Sequence, residues 1–168
     1  MSKYIIIDGS HRTGNTTLIN NFIKDNLDSE ILFLREHIIE SYNYEGKYSD
    51  DDKFISLMEN ITMNITHIIW TTPMYWYSMS SCMKVFLDRF TDLLKTNKDI
   101  GRQLRGKSMS LVYNSNGTQE DYFEQPFKNT ADYLGMKFIT ALHINMGESE
   151  INQGSEEKLI DFINHITI

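Results

Sequence analysis

The sequence predicts an α/β fold in which five parallel strands form one sheet and helices pack on both of its faces. Short β-branched runs alternate along the 168 residues with segments whose apolar residues recur at helical spacing. This alternation repeats five times, and the right-handed crossovers between parallel strands then place helices on both sides of the sheet. The chain contains no internal repeat or proline-rich linker, so residues 1–168 are expected to form a single domain.

The individual elements follow from these patterns. Tyr4–Asp8 is a β-branched run of the kind that is buried on both faces of a parallel sheet, and it predicts the first strand. The other strands are predicted over Glu30–Leu34, His67–Thr71, Ser108–Asn114 and Met136–Asn145. Helices are predicted over Thr16–Leu27, Phe54–Ile65, Ser80–Lys95 and Tyr122–Leu134, followed by one that begins at Ser155, whose hydroxyl is expected to cap it. In such a sheet ligands bind beyond the carboxyl ends of the strands.

Composition excludes several classes of function. A formal net charge of −7 argues against nucleic acid as a partner, since binding phosphate backbones requires basic surface. No apolar stretch approaches the roughly 20 residues of a membrane span, and the N-terminus shows no export signal. The single cysteine, Cys82, excludes an internal disulfide and any cysteine-built metal cage, so no metal site is predicted and a cytoplasmic location is expected.

The loop Gly9–Thr17 lies between the first strand and the first helix, where backbone amides and the helix dipole favour a bound anion. Its hydroxyl groups add donors, and Arg12 adds a fork suited to phosphate oxygens. Asn15 occupies the position at which an ATP-binding loop requires lysine, which leaves a small nucleotide kinase as a distant alternative. The glycine spacing also fails the dinucleotide fingerprint. One phosphate fits this loop best, and an ordinary capped helix start is the simpler alternative.

A second informative segment follows the third strand. Thr71–Met79 is rich in aromatic residues at a strand end, where an exposed loop would normally be polar. Proline restricts its own φ and the residue before it, so Thr72-Pro73 is expected to form a rigid turn that presents backbone amides to a flat ligand. Burial of this loop beneath its neighbours, or in a dimer contact, is the alternative.

Both segments resemble the NAD(P)H-dependent FMN reductase family of flavodoxin-like oxidoreductases. Gly9–Thr16 is similar to the family's phosphate loop, and Pro73–Trp76 with the downstream Lys84–Arg89 is similar to its ring loop and following helix. The resemblance implies a flavodoxin-like sheet of strand order 2-1-3-4-5. By the resemblance, FMN would be held by Ser10, Arg12, Asn15, Thr16 and Thr17 at its phosphate, by Pro73, Met74, Tyr75 and Trp76 at its ring, and by Asn114, Ser115 and Gly117 at the flavin edge.

The resemblance also implies an activity. Hydride would pass from NADH or NADPH to FMN, and electrons would then pass to a quinone, flavin, azo or nitroaromatic acceptor, without a catalytic side chain. A homodimer is expected. The alternative is a flavodoxin-type electron carrier without NAD(P)H oxidation, because Thr13–Thr16 also resembles the phosphate loop of that family. Lys84, Asp88 and Arg89 are expected to form structural ion pairs, whereas the roles of His11 and of the loop with Tyr42, Tyr44 and Tyr48 stay open.

Overall fold

The computed structural model describes residues 3–118, 121–147 and 150–167. The strands are β1 (Tyr4–Asp8), β2 (Ser29–Phe33), β3 (His67–Tyr75), β4 (Ser78–Met79), β5 (Ser108–Ser115) and β6 (Lys137–Asn145). The α-helices are α1 (Asn15–Asn26), α2 (Phe54–Asn64), α3 (Ser81–Asp88), α4 (Phe90–Lys95), α5 (Lys98–Arg102), α6 (Gln125–Leu134) and α7 (Gln153–Ile166), and single 3-10 turns occur at Leu34–Glu36 and Asp121–Glu124.

Five strands form a parallel sheet in the order β2-β1-β3-β5-β6, and β4 pairs antiparallel with the end of β3. Counted without the two-residue β4, this is the predicted order 2-1-3-4-5, so the predicted fold class is confirmed. The order reverses between β1 and β3, whose paired residues run from Tyr4 opposite His67 to Asp8 opposite Thr71. Loops that leave these two strands at their carboxyl ends diverge and leave a crevice.

The two faces of the sheet carry separate hydrophobic cores. Side chains alternate along β1, so Ile5 and Ile7 pack on one face while Ile6 packs on the other. Helices α2, α3, α4 and α6 cover the first face, where the Trp70 ring lies within 6.3 Å of three phenylalanine rings. Helices α1 and α7 cover the second face. In the described part of the chain, no helix has the length and apolarity needed to cross a bilayer.

The structure corrects the predicted turn after the third strand. β3 continues past Thr71 to Tyr75, and Pro73 pairs with Asn114 inside the sheet. The chain instead reverses at Trp76 and Tyr77, between β3 and β4. Thr72-Pro73 is therefore an extended dipeptide, which is the conformation that proline favours for the residue before it.

Three helix boundaries also differ from prediction. The helix predicted over Ser80–Lys95 divides at Arg89 into α3 and α4, and it is followed by a short helix that was not predicted, α5. The cap of α7 is Asn152, whose side-chain oxygen accepts the amide of Ser155 at 2.9 Å, so Ser155 lies inside the helix and does not cap it. Asparagine is as good a cap as serine, and the earlier start adds a turn to the helix.

Candidate functional site

A cleft of about 820 Å³ opens at the carboxyl ends of β1, β3 and β5. It lies at the reversal of strand order, where doubly wound sheets bind their ligands. Its walls come from the loop after β1, the first turns of α1, the end of β3 and the loops after β5 and β6. The lining residues are Ser10, Arg12, Thr13, Gly14, Asn15, Thr16, Thr17, Leu18, Asn21, Pro73, Met74, Tyr75, Asn114, Ser115, Asn116, Met146 and Gly147.

The first turn of α1 presents backbone donors to this cleft. Within the described residues, the amides of Asn15, Thr16 and Thr17 donate to no other protein group, whereas the amide of Leu18 bonds the Gly14 carbonyl at 3.1 Å. Unpaired amides at a helix start combine with the helix dipole to attract negative charge. This end of the helix can therefore offer an anion three unpaired backbone donors.

Side chains of the same segment connect it to neighbouring loops. The hydroxyl of Thr16 donates to the side-chain oxygen of Asn114 at 2.8 Å. The side-chain nitrogen of Asn15, Nδ2, donates to the backbone carbonyl of Met146 at 3.3 Å. The Thr17 hydroxyl accepts the Gly14 amide at 3.4 Å. Arg12 is exposed at the rim of the cleft, which leaves its guanidinium accessible to a ligand.

Ser10 is held by the protein on both sides. Its amide donates to Asp8 Oδ1 at 2.5 Å, and its hydroxyl donates to the carbonyl of Arg12 at 3.1 Å. The hydroxyl also accepts Arg35 Nη1 at 3.1 Å. Although Ser10 lines the cleft as the sequence predicts, its polar groups fix the shape of the loop.

The aromatic segment forms a hairpin at one side of the cleft. Pro73, Met74 and Tyr75 line the cleft, but Trp76 does not, and its side chain is 94% exposed at the hairpin tip. Trp76 and Tyr77 both have positive φ, at 47° and 64°. Bulky residues adopt this conformation only where the surroundings impose it, and such strain clusters at functional positions.

The end of β5, which lies beside the end of β3 in the sheet, supplies a further part of the lining. Asn114 and Ser115 line the cleft, whereas Gly117 lies outside the lining set. The Ser115 hydroxyl accepts the Gly117 amide at 3.2 Å and is hydrogen-bonded to Nε2 of His143 at 2.8 Å. Burial, together with the charge of Lys158, lowers the pKa of His143, so this imidazole is neutral near pH 7. Gly117 therefore does not line the cleft, but its amide bond to Ser115 helps to fix the shape of the loop after β5.

Seven lining residues were not among those predicted to bind the cofactor; Thr13, Gly14 and Asn116 lie within the predicted segments, and four lie outside them. Leu18 and Asn21 lie on the next turn of α1, and Met146 and Gly147 follow β6. The same rule that selected the loops after three other strands would have found the last two, because β6 is parallel to β5 and its carboxyl end lies at the same edge. Leu18 and Asn21 follow from helical spacing, since they lie one turn beyond Asn15 and Thr17.

Reactive side chains are scarce around the cleft. Burial raises the pKa of the Cys82 thiol, whose sulfur donates to the carbonyl of Gly9 at 2.9 Å, so it is a neutral thiol near pH 7. His11 lies on the exposed face of the loop and is bonded through Nε2 to the Ser81 hydroxyl at 2.9 Å. Residues 3–118, 121–147 and 150–167 contain no cluster of ligands suited to a metal ion.

Arg89 is buried in an ion-pair network beneath the tyrosine-containing loop. Its guanidinium bonds both oxygens of Asp52, at 2.7 and 3.1 Å, and Oδ2 of Asp92 at 2.6 Å. It also stacks 3.5 Å from the centre of the Tyr48 ring. Although burial opposes it, pairing with the two carboxylates raises the pKa of Arg89. This network is structural, as predicted for Arg89, and Lys84 and Asp88 form a separate surface pair at 2.5 Å.

The tyrosine-containing loop is fixed at two further points. Tyr48 donates to Asp92 Oδ1 at 3.1 Å, and Lys95 Nζ donates to the Tyr42 hydroxyl at 2.6 Å. Tyr42 and Tyr44 contact each other edge to face, with ring centres 5.1 Å apart. These contacts attach the loop to α4, and none of the residues involved lines the cleft.

A sequence model of the family with a flavodoxin-like fold matches residues 2–166. Two Bacillus subtilis proteins are similar over most of the chain. An uncharacterised NAD(P)H oxidoreductase, YrkL, is 24% identical over 147 residues, which cover 77% of this chain and 83% of that protein. A putative NAD(P)H-dependent FMN-containing oxidoreductase, YwqN, is 25% identical over 149 residues, or 81% of each chain.

Solved structures share the fold. The Trp repressor binding protein of Bacillus subtilis superposes with a TM-score of 0.75 at 21% identity, covering 96% of this chain and 99% of that one. The general stress protein 14 of Treponema denticola, solved in complex with FMN, superposes with a TM-score of 0.66 at 16% identity, covering 96% of this chain and 98% of that one.

Proposed function

Because this chain belongs to the family with a flavodoxin-like fold, we propose that its cleft binds FMN and that the protein oxidises NAD(P)H through that flavin. One observation carries the proposal: the unpaired amides at the start of α1 open into a cleft whose other wall is the aromatic end of β3. The cleft volume of about 820 Å³ is within the range of roughly 300 to 1,000 Å³ usual for cofactor sites. The names of the similar YrkL and YwqN proteins support the same activity.

The donors of the cleft fit a phosphate monoester. Backbone amides of Asn15, Thr16 and Thr17 would surround the phosphate, and the guanidinium of Arg12 would add a charged fork from the rim. Thr16 would act in a second way, because its hydroxyl positions the Asn114 side chain. A ligand with one terminal phosphate is therefore favoured over a nucleotide triphosphate, which would need the missing lysine.

The strand ends would hold the flat part of the cofactor. Pro73, Met74 and Tyr75 would border the isoalloxazine, together with Asn114 and Ser115 from the neighbouring strand. Trp76 and Gly117 are placed further out, so in this proposal Trp76 contacts the second substrate or a partner subunit, and Gly117 shapes the β5 loop.

When bound, FMN would accept hydride from nicotinamide and release electrons to a second acceptor, which is chemistry that belongs to the cofactor. The protein's part is to orient the substrates and to exclude other reactions. Hydride transfer through a flavin requires no side-chain nucleophile. The thiol of Cys82 is instead hydrogen-bonded to the Gly9 carbonyl, and the His143 imidazole is hydrogen-bonded to Ser115 in β5. We propose quinones, flavins, azo compounds or nitroaromatics as the electron acceptors. The working form would be a homodimer in the cytoplasm.

Stopped-flow kinetics on the FMN-loaded protein would test the activity. The proposal predicts that NADH or NADPH bleaches the flavin absorbance and that menadione or a nitroaromatic acceptor restores it over repeated turnovers. A flavin-saturated protein that neither nucleotide reduces would contradict the proposal and favour the electron carrier. Photoreduction separates the two further, since a carrier accumulates a stable one-electron form and a hydride-accepting reductase does not.

A further inference from the structure

A buried ion pair lies directly beneath the loop that would receive the phosphate. Asp8 ends β1 and is fully buried, and its Oδ2 pairs with Arg35 Nη1 at 3.2 Å. The same Oδ2 accepts the amide nitrogen of Asn20 at 2.9 Å, while Oδ1 accepts the backbone amide of Ser10. A carboxylate buried under an anion site is expected to repel the anion, so its presence requires an explanation.

The carboxylate sets the course of the loop. Its bond to the amide two residues further on is an Asx turn, which directs the chain from β1 into the loop. Gly9, between them, is held by its own amide bond to Thr71, and a Cβ at this position would collide with Met83. The consecutive amides of Gly9 and Ser10 are thus bonded inside the protein. The amides at the start of α1 are left for a ligand.

Arg35 connects this turn to the hydroxyl of Ser10. It follows β2 in the 3-10 turn Leu34–Glu36, and one nitrogen, Nη1, reaches both Asp8 Oδ2 and Ser10 Oγ. Its guanidinium lies 4.3 Å from the centre of the Phe33 ring, and its side chain is only 17% exposed. A positive charge held this way offsets the carboxylate at close range and in a poorly solvated place, where the effect is strong.

We propose that Asp8 and Arg35 are a charge-balanced positioning pair for the phosphate loop, and that the preference for FMN over riboflavin depends on their mutual neutralisation. The inference rests on the proposed function and concerns only the phosphate-binding part of the cleft. Neither residue belongs to the cleft lining, so neither is expected to touch the cofactor. Their effect passes through the loop geometry of Ser10 and through the field at the start of α1.

The pair can be tested by removing the positive charge alone and then both charges together. Arg35→Met leaves the Asp8 carboxylate uncompensated and removes the donor to Ser10, so the affinity for FMN should fall about tenfold or more, from the expected repulsion between close charges. Affinity for riboflavin, which lacks the phosphate, should stay within about twofold. Asp8→Asn combined with Arg35→Met removes both charges and keeps an oxygen that accepts the Ser10 amide, so it should regain most of the lost affinity for FMN.

Asn20 offers a partner for that double variant. Its side-chain oxygen is buried without a partner among the described residues. If the Asn20 amide group turns over, this oxygen can accept a hydrogen bond from the amide nitrogen introduced at position 8. Arg102→Met is the matched control, because it removes the same charge from an exposed pair with Asp99 on α5, outside the cleft. Its FMN and riboflavin affinities should both equal those of the unmodified chain.

Dissociation constants for FMN and riboflavin, measured by flavin fluorescence at one fixed ionic strength, test whether the FMN preference depends on this ion pair. Equal losses for both flavins in Arg35→Met, or no loss for either, would overturn the proposal, as would a double variant that stays as weak as the single one. If Arg35→Met does not fold, Arg35→Lys replaces it: retained charge should keep the FMN preference within about threefold, and loss of the preference would overturn the proposal. An unmodified chain that binds no FMN would instead refute the proposed function.

Discussion

At the scale of single residues, Thr16 and Asn114 show how the cleft is held together. They lie on α1 and at the end of β5, 98 positions apart, and a 2.8 Å hydrogen bond joins their buried side chains. The bond fixes the distance between the start of the helix and the end of β5. It also orients Asn114, so that its oxygen is used internally and its amide nitrogen is left for the cleft.

Thr16→Val keeps the shape of the side chain and removes this bond. The unfolding free energy should fall by about 1 to 2 kcal/mol, because the Asn114 oxygen is left buried without a donor. Chemical denaturation of the apo protein measures the change. Thr130→Val is the control, since the Thr130 hydroxyl only bonds the Pro126 carbonyl on the surface of α6. Equal stability of the two variants would contradict this role for Thr16.

His67 lies at the opposite end of the sheet, where burial lowers the pKa of its imidazole from 6.5 to about 4. Between these values the unfolded chain binds a proton that the folded chain does not, so acid favours unfolding. The unfolding free energy should therefore fall as the pH drops from 6.5 toward 4, by about 3 kcal/mol over the full interval.

Denaturant titrations at a series of pH values measure this loss. His67→Gln should remove most of the pH dependence attributable to this site, because glutamine can still bond the Ser110 hydroxyl without titrating. His165→Gln, an exposed position on α7, should leave the dependence in place. A His67→Gln protein with the same acid loss as the unmodified chain would show that other groups cause it.

At the scale of elements, the strands were predicted well and the breaks between helices were not. Apolar runs located β1, β2, β5 and β6 to within about one residue, whereas β3 extends four residues beyond its predicted end. β1 is buried almost throughout, and burial on both faces imposes the continuous apolar run that identifies it. The division of the predicted helix at Arg89 has no local signal, since no glycine or proline lies there. The Arg89 side chain at this break pairs with Asp52, 37 positions earlier, and a pattern over neighbouring residues cannot reveal such a contact.

Arg89→Met should destabilise the protein by about 3 to 5 kcal/mol, because it leaves Asp52 and Asp92 buried without their cation. Lys84→Met removes a cation from the neighbouring helix α3, but the pair of Lys84 with Asp88 is exposed. The loss of unfolding free energy should therefore be below about 1 kcal/mol. Urea unfolding of the two variants gives the comparison. Similar losses for both would contradict the structural role assigned to the buried network.

The hairpin between β3 and β4 carries two bulky residues in a conformation that Asn-Gly adopts more readily. Replacing Trp76 by Asn and Tyr77 by Gly should raise the unfolding free energy by about 1 to 2 kcal/mol. If the exposed rings contact the second substrate, the same variant should show a higher KM for aromatic acceptors. Greater stability with an unchanged KM would remove the aromatic tip from the acceptor site and leave it as a candidate contact between subunits.

At the scale of the whole molecule, the strand order determines the site. The order β2-β1-β3-β5-β6 brings the ends of β1, β3 and β5 together, and ten of the twelve residues predicted for the cofactor line the resulting cleft. Trp76 and Gly117 lie outside it because the turn comes three residues after Pro73 and because the β5 loop folds back on Ser115. The predicted parallel pairing of β1 with β2 brings the ends of these strands side by side, but apolar periodicity does not show that Arg35, in the 3-10 turn after β2, reaches back to Asp8.

Equilibrium dialysis of the unmodified protein against FMN tests the central claim, that the start of α1 and the end of β3 enclose a flavin monophosphate. We expect saturation at one FMN per chain, a yellow protein, and clearly weaker retention of riboflavin under the same conditions. A colourless protein that takes up no FMN, or one that binds riboflavin as tightly as FMN, would contradict it.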